Sequence, residues 1–266
     1  MSRIGHPRAK KRFGQHFLTD PGVIDAIVRA IAPTGDDVIV EIGPGPGAIT
    51  APIIKRCGRF HAIELDRGLA ASLRERFAAD AHVTIHEADA LTFDFSALGS
   101  ALRVIGNLPY NISTPILFHL LEHRAVITDM HFMLQKEVVD RMAAKPGSKA
   151  YGRLSIMLGC FLDVEALFDV DRFAFEPPPD VTSAVVRLTP RPEGQVQISD
   201  PGLLSKIVAA AFSKRRKTLR NALKQVATEE DLEYLQIDPQ LRPENVSVAD
   251  WVALANHLAM DTDIPR

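Results

Sequence analysis

The sequence predicts an α/β fold: a mostly parallel seven-stranded sheet with helices around it, followed by a small all-α C-terminal domain. Three observations carry this prediction. Short β-branched runs alternate with helical patterns through the first 190 residues, the rhythm of strand–helix–strand crossovers. Residues 38–50, VIVEIGPGPGAIT, pass from an apolar strand through alternating glycines into a helix. Beyond a proline-, glycine- and polar-rich stretch at 189–202, only helical patterns remain. The expected domains are therefore residues 1–190 and 191–266.

Residues 1–12 hold Arg3, Arg8, Lys10, Lys11 and Arg12 with no acid, and read as a basic arm. Asp20 before Pro21 supplies an N-cap with proline at the first helical position, and Val23, Ile24, Ile27, Val28 and Ile31 share one face. A helix thus precedes the first strand. Residues 15–18, with His16 and Leu18, sit just ahead of it and can fold over a bound ligand. Taken without context, His16 reads more readily as a loop histidine than as a ligand.

In residues 43–47, glycine at every second position permits positive φ and leaves no Cβ, so a ligand can lie against the main chain. The stretch satisfies the loose dinucleotide pattern G-x-G-x-x-G/A. A pyrophosphate, however, needs backbone N–H donors; Pro44 and Pro46 each delete one, and Glu41 adds negative charge. S-adenosylmethionine carries no phosphate, and its ammonium and sulfonium suit a carboxylate and carbonyls. The loop reads as a methyl-donor site.

A helix over 49–55 leads to a strand over 59–65, whose end places Glu64 to accept from ribose hydroxyls. Asp66 is expected to begin the next helix, with Leu69, Leu73 and Phe77 inward. A strand over 82–86 delivers Asp89 to the same rim, where its carboxylate can accept from an adenine amino group. The strand over 101–105 runs into GNLPYNIS. An adenine amine is a poor nucleophile because its lone pair is delocalised. Two acceptors, the Asn107 side-chain oxygen and the Leu108 carbonyl, can hold both hydrogens and aim the lone pair at a methyl group. Pro109 fixes the backbone and Tyr110 can stack on a flipped base. Positioning of this kind lowers a barrier by roughly 7–11 kcal/mol.

Further on, helices are expected over 115–124 and 136–143 and strands over 129–135, 163–170 and 183–188, while 154–160 fits helix or strand. The proline-rich 175–181 must be extended. Phe175 is either a second wall of a base pocket or a core residue. Residues 203–226 read as one helix, with Lys214, Arg215, Lys217, Arg220 and Lys224 free of any balancing acid within the run, a candidate RNA-phosphate face. Shorter helices follow near 229–235 and 248–258.

Composition sets the limits. At 266 residues, 46% hydrophobic and 24% charged, the chain is ordinary for a globular protein, and the net charge of −2 conceals the two basic stretches. No apolar run approaches membrane-spanning length and no apolar signal segment follows the basic start, so the cytoplasm is the expected location. Cys57 and Cys160 lack CxxC spacing, which argues against a zinc site or a disulfide framework and for buried thiols.

With these residues assembled, the chain resembles the KsgA/RsmA (Dim1-like) small-subunit rRNA adenine N6,N6-dimethyltransferases over nearly its full length. The resemblance rests on KRFGQHFL, VEIGPGPGAIT, ELD, EADAL, GNLPYNISTP, PGSKAYGRLS, FEPPPDVTSAVVRL and FSKRRKTLRNAL, of which the last three are the most specific. It implies a Rossmann-like class I methyltransferase domain and S-adenosylmethionine contacts at His16, Leu18, Gly43, Glu64, Asp89 and Asn107. It also implies target-adenine handling by Asn107, Leu108, Pro109 and Tyr110, and a C-terminal RNA-binding domain. The family often has Asn where this chain has His16, so a contact there would respond to pH. The expected activity is dimethylation of two adjacent adenosines in the 3′-terminal hairpin loop of small-subunit (16S) rRNA. The expected agent is a metal-free monomer acting on the pre-assembled subunit. The alternatives are an erythromycin-resistance-type large-subunit rRNA methylase and a non-catalytic assembly or transcription factor, with a dinucleotide oxidoreductase disfavoured by Pro44, Pro46 and Glu41.

Overall fold

The structure is a computed structural model that describes residues 15–262, apart from Asn111, Glu193 and Arg215. The basic arm at 1–12 lies outside the described residues. The chain packs as two compact units: one takes the residues up to Val139 together with Glu165–Pro190, the other Asp140–Val164 together with the residues from Arg191 onward. Residues 140–164 therefore group with the C-terminal helices.

The first unit opens with β1 (Phe17–Leu18) and α1 (Pro21–Ile31). Asp20 caps α1 by accepting from Gly22 N–H and Val23 N–H at 2.8 and 3.0 Å, and Ile27, Val28 and Ile31 bury its inner face. There follow β2 (Val38–Ile42), α2 (Thr50–Ile53), β3 (Arg59–Glu64), α3 (Arg67–Arg76), β4 (Val83–Glu87), β5 (Leu102–Asn107), α4 (Ser113–Glu122), β6 (Ile127–Gln135) and α5 (Lys136–Met142). Asp66 caps α3, as its place in the sequence suggests, through Gly68 N–H and Leu69 N–H. Residues 154–160, ambiguous by periodicity, belong to a helix, α6 (Arg153–Gly159), followed by β7 (Leu162–Val170), β8 (Phe175–Glu176) and β9 (Ser183–Pro190).

The seven-stranded sheet has the order β4-β3-β2-β5-β6-β9-β7, with β2 through β6 in parallel register and β9 antiparallel to β6. The chain winds outward from β2 through β3 to β4, then returns to the other side of β2 to begin β5. The carboxyl ends of β2 and β5 therefore flank the switch point, where loops diverge and leave a crevice. A separate two-stranded ribbon pairs β1 with β8, Leu18 opposite Phe175. Phe175 is only 3% exposed and packs in the cluster with Leu18, Ile27 and Ile105; it is a core residue and not a pocket wall.

The second unit, to which α6 belongs, adds α7 (Pro201–Phe212), α8 (Leu219–Ala222), α9 (Glu229–Tyr234) and α10 (Val248–Thr262), with Trp251 fully buried. The single helix expected over 203–226 is broken. Lys217 N–H turns back to the Lys214 carbonyl, while Leu219 N–H and Arg220 N–H bond the carbonyls of Leu241 and Pro239. Tertiary acceptors, together with like charges spaced three and four apart, override the helical pattern. Both cysteines are buried and free, and burial pushes their thiols up to about 11 (Cys57) and about 12 (Cys160). No helix among the described residues is long and apolar enough to cross a membrane.

Candidate active site

One cavity opens at the switch point. His16, Leu18, Gly43, Glu64, Asp89, Asn107, Leu108, Pro109 and Tyr110 all line it, together with Glu41, Asp66 and Phe17. Residues up to 94 positions apart in the chain thus meet because β1, β2, β3, β4 and β5 deliver their ends to one rim.

The glycine loop adopts positive φ at Gly43, Gly45 and Gly47. Its amides are already spent: Gly43 N–H donates to the Ile63 carbonyl, Gly45 N–H to Glu64 Oε2 (3.2 Å) and Gly47 N–H to the Pro44 carbonyl, while Pro44 and Pro46 have none. From 43 to 47 no donor is left for a phosphate. Arg76 Nη1 donates to the Pro46 carbonyl at 2.6 Å and so pins the loop to α3.

Acids dominate the lining. Glu41 is 2% exposed, accepts from Thr50 Oγ1 at 2.5 Å, and is pushed up to about 7 by burial, with the nearby Glu64 charge adding to the shift. Glu64 accepts from Gly45 N–H and from Asp66 N–H (2.9 Å), and burial raises its carboxyl as well. Each Glu64 oxygen keeps lone-pair capacity for a further donor. Asp89 uses Oδ1 to accept from Leu91 N–H at 2.9 Å. No lysine or arginine lines the cavity among the described residues. The site fits a ligand with hydroxyl donors and positive charge and without phosphate.

At the other end of the cavity the Asn107 amide is oriented by its partner. Nδ2–H donates to the His16 carbonyl at 3.0 Å, which leaves Oδ1 as the free acceptor. Of the loop carbonyls that follow, Pro109 receives Ile112 N–H and Tyr110 receives Ser113 Oγ–H, whereas that of Leu108 takes no hydrogen bond among the described residues. Two acceptors therefore remain, Asn107 Oδ1 and the Leu108 carbonyl. Gly106 makes the arrangement possible: a Cβ there would lie 2.6 Å from the Ile42 carbonyl oxygen. Gly106→Ala is expected to force β5 away from β2, costing about 1–3 kcal/mol and lowering both cofactor affinity and turnover. Denaturant titration beside a methyl-transfer assay measures it.

A family model of ribosomal RNA adenine dimethylases matches residues 6–260. The chain belongs to this family. Ribosomal RNA small subunit methyltransferase A of Aromatoleum aromaticum is 55% identical over 252 residues, 95% of either chain, and that of Pseudomonas aeruginosa 53% identical over 262 residues, 97% of this chain and 98% of that protein. Among solved structures, a dimethyladenosine transferase from Plasmodium falciparum superposes with a TM-score of 0.82 at 26% identity, covering 93% of this chain and 98% of that one. The 23S rRNA methyltransferase ErmE superposes at 0.73 with 25% identity, over 91% and 99%. The much higher identity to the small-subunit enzymes favours them over the large-subunit type. The chain is thus an S-adenosylmethionine-dependent rRNA adenine dimethyltransferase with a Rossmann-like fold.

Some features of the dimethylase site were not singled out from sequence. Thr50 anchors Glu41, Arg76 holds the loop, and Ser183 Oγ meets the Tyr110 hydroxyl at 2.8 Å. Each acts across a gap in sequence that no local pattern spans. Of the basic residues in the C-terminal region, Lys214, Lys217 and Lys224 are exposed, Arg220 faces Glu229 at 3.4 Å, and Arg215 lies outside the described residues. Among the described residues, no group of three or more His, Cys, Asp or Glu is placed to hold a metal ion.

Proposed function

We propose that this dimethylase modifies two adjacent adenosines in the 3′-terminal hairpin loop of small-subunit rRNA, working on the pre-assembled subunit in the cytoplasm. The observation that carries the reading of the site is the pair of free acceptors, Asn107 Oδ1 and the Leu108 carbonyl, in the same cavity as Glu64 and Asp89. Glu64 accepts from the ribose diol, Asp89 from the adenine amine of the cofactor, and Glu41 balances its ammonium. His16, Leu18 and Gly43 close around it. Bound S-adenosylmethionine supplies an electrophilic methyl group on a sulfonium. The target base is unpaired and stacks on Tyr110, and its two N6 hydrogens are held by Asn107 and Leu108 so that the lone pair points at the methyl carbon. No strong base is needed, because the amine loses its proton only after the new N–C bond gives it positive charge.

The experiment is nucleoside mass spectrometry of unmodified small subunits incubated with this protein and S-adenosylmethionine, with naked large-subunit rRNA alongside. N6,N6-dimethyladenosine in the small-subunit sample alone supports the proposal. Methylation of the large-subunit RNA would overturn the choice of substrate, and binding without methylation would point to an assembly factor.

The exposed lysines Lys214, Lys217 and Lys224 of the second unit serve as a phosphate-contacting face, since Arg220 is countered by Glu229. Replacing the three lysines with glutamine is expected to weaken RNA binding and to lower the slope of log affinity against log salt by about 0.7 per lost contact. Titrations at several salt concentrations read this directly, and an unchanged slope removes the face from the interface.

A further inference from the structure

We propose that the ring of Phe173, at the outer end of the β1–β8 ribbon, is a stacking platform for a base that flanks the target adenosine in single-stranded rRNA. This rests on the reading that the cavity handles that adenosine, and assigns a contact to the RNA beside it. Phenylalanine is among the residues most often buried, yet Phe173 is 74% exposed. One face of its ring is covered by Arg172, whose guanidinium carbon stands 5.1 Å from the centroid. The other face is open to solvent. The acids next in sequence are engaged elsewhere: Asp171 Oδ1 accepts from Phe173 N–H at 2.9 Å, and Asp169 pairs with Lys136 at 3.1 Å. Arg172 makes no ion pair among the described residues.

The ribbon connects this ring to the cavity. His16, Phe17 and Leu18 line the cavity, and each is tied to the strand that Phe173 precedes. His16 Nδ1 lies 2.8 Å from the Pro177 carbonyl, Phe17 is opposite Glu176 and Leu18 opposite Phe175. Further out, Thr19 N–H and Asp20 N–H donate to the Ala174 carbonyl at 2.8 and 3.2 Å, which fixes the turn that carries Phe173. From Pro177 to Ala174 the ribbon runs about 10 Å at the rise of a strand, the length of about three stacked nucleotides. An RNA strand whose adenosine enters the cavity therefore passes within reach of the ring.

The exposed apolar surface of the first unit gathers around the same rim. Its other large exposed apolar side chains among the described residues are Leu65, which lines the cavity, and Val181, two residues before the Ser183 that bonds Tyr110. Exposed apolar residues scattered singly are ordinary, whereas a grouping at a mouth marks a contact. A ring with one open face beside an unpaired cation supplies what single-stranded nucleic acid binds: a surface for the base and a charge for the phosphate. A protein partner would need apolar cover there but no aromatic plane.

Phe173→Ala, Phe173→Leu and Phe173→Trp are compared with wild type for kcat and KM on unmethylated small subunits, for S-adenosylmethionine affinity by equilibrium dialysis, and for thermal midpoint. Loss of one base–aromatic stack is expected to raise the KM of Phe173→Ala about 5–100-fold, with kcat and cofactor affinity changed less than about twofold. Phe173→Trp should keep the wild-type KM, and Phe173→Leu should not. Wild type holds one tryptophan, the buried Trp251, so the indole added by Phe173→Trp reports by itself; its emission should be quenched when small subunits bind. An unchanged KM in Phe173→Ala, or an unquenched indole, would overturn the platform. Phe173→Leu matching wild type would replace the base with an apolar protein contact. Wild-type methylation is measured first: its absence is a failure of the proposed function, while indole quenching by bound subunits decides the platform without any methyl transfer.

Discussion

Asn107→Ala is expected to slow methyl transfer about 10²–10³-fold at saturating S-adenosylmethionine, the scale of losing one preorganised polar contact to a reacting group. Two effects combine. Oδ1 no longer holds one N6 hydrogen, so the amine rotates freely and its lone pair stays delocalised in the ring. The His16 carbonyl also loses its donor, which loosens the ribbon of β1 and β8 over the cavity. Single-turnover measurement separates chemistry from cofactor binding. The fold should be retained, since Asn107 closes β5 at its exposed end and is only partly buried. Near-normal turnover in this variant would dismiss the orienting role.

Glu41→Gln should act in opposite directions on stability and on binding. The carboxyl is raised from 4.5 to about 7, so between those values the folded protein holds a proton that the unfolded chain has released. The burial penalty grows as pH rises through this window and is complete above about 7. Removing the charge should therefore stabilise the ligand-free protein at pH 8 by up to about 3 kcal/mol, and by little at pH 4. Cofactor binding should weaken about 10–100-fold at pH 8, because the ligand's positive charge loses its buried counterpart. In the wild type, binding draws off the Glu41 proton below about pH 7, so affinity rises with pH up to that point and then levels. Glu64, raised by burial as well, leaves a residual slope in the variant. Calorimetric titration at pH 6, 7 and 8 in two buffers of different ionisation enthalpy counts the proton released; denaturation at pH 4 and 8 checks the stability half. A pH-independent affinity in the wild type would show that Glu41 is not coupled to the ligand.

Much of this was readable beforehand because the signals are local. Asp20-Pro21 and Asp66 announce helix starts through contacts two and three residues away. Pro44 and Pro46 lack amide donors in any conformation, and the structure adds only that the three glycine amides are consumed too. The strands were visible as β-rich runs, and α6 was ambiguous because a short apolar run fits a buried helix or a strand equally well.

What the sequence determined by itself was the alternation that gives a parallel sheet, the phosphate-averse glycine loop, and the capacity of the Asn107 side chain and the Leu108 carbonyl to accept hydrogen bonds. The tertiary structure alone decided which of those groups remain free to act. It turned the Asn107 oxygen outward by giving its nitrogen to His16, left the Leu108 carbonyl unpaired while its neighbours were taken, and sent Phe175 into the core. It also broke the basic helix by offering Leu219 and Arg220 the carbonyls of Leu241 and Pro239. The physical reason is the same in each case. A residue's capacity to donate, accept or stack is a property of its own atoms, whereas whether that capacity is spent depends on partners that only folding brings within reach.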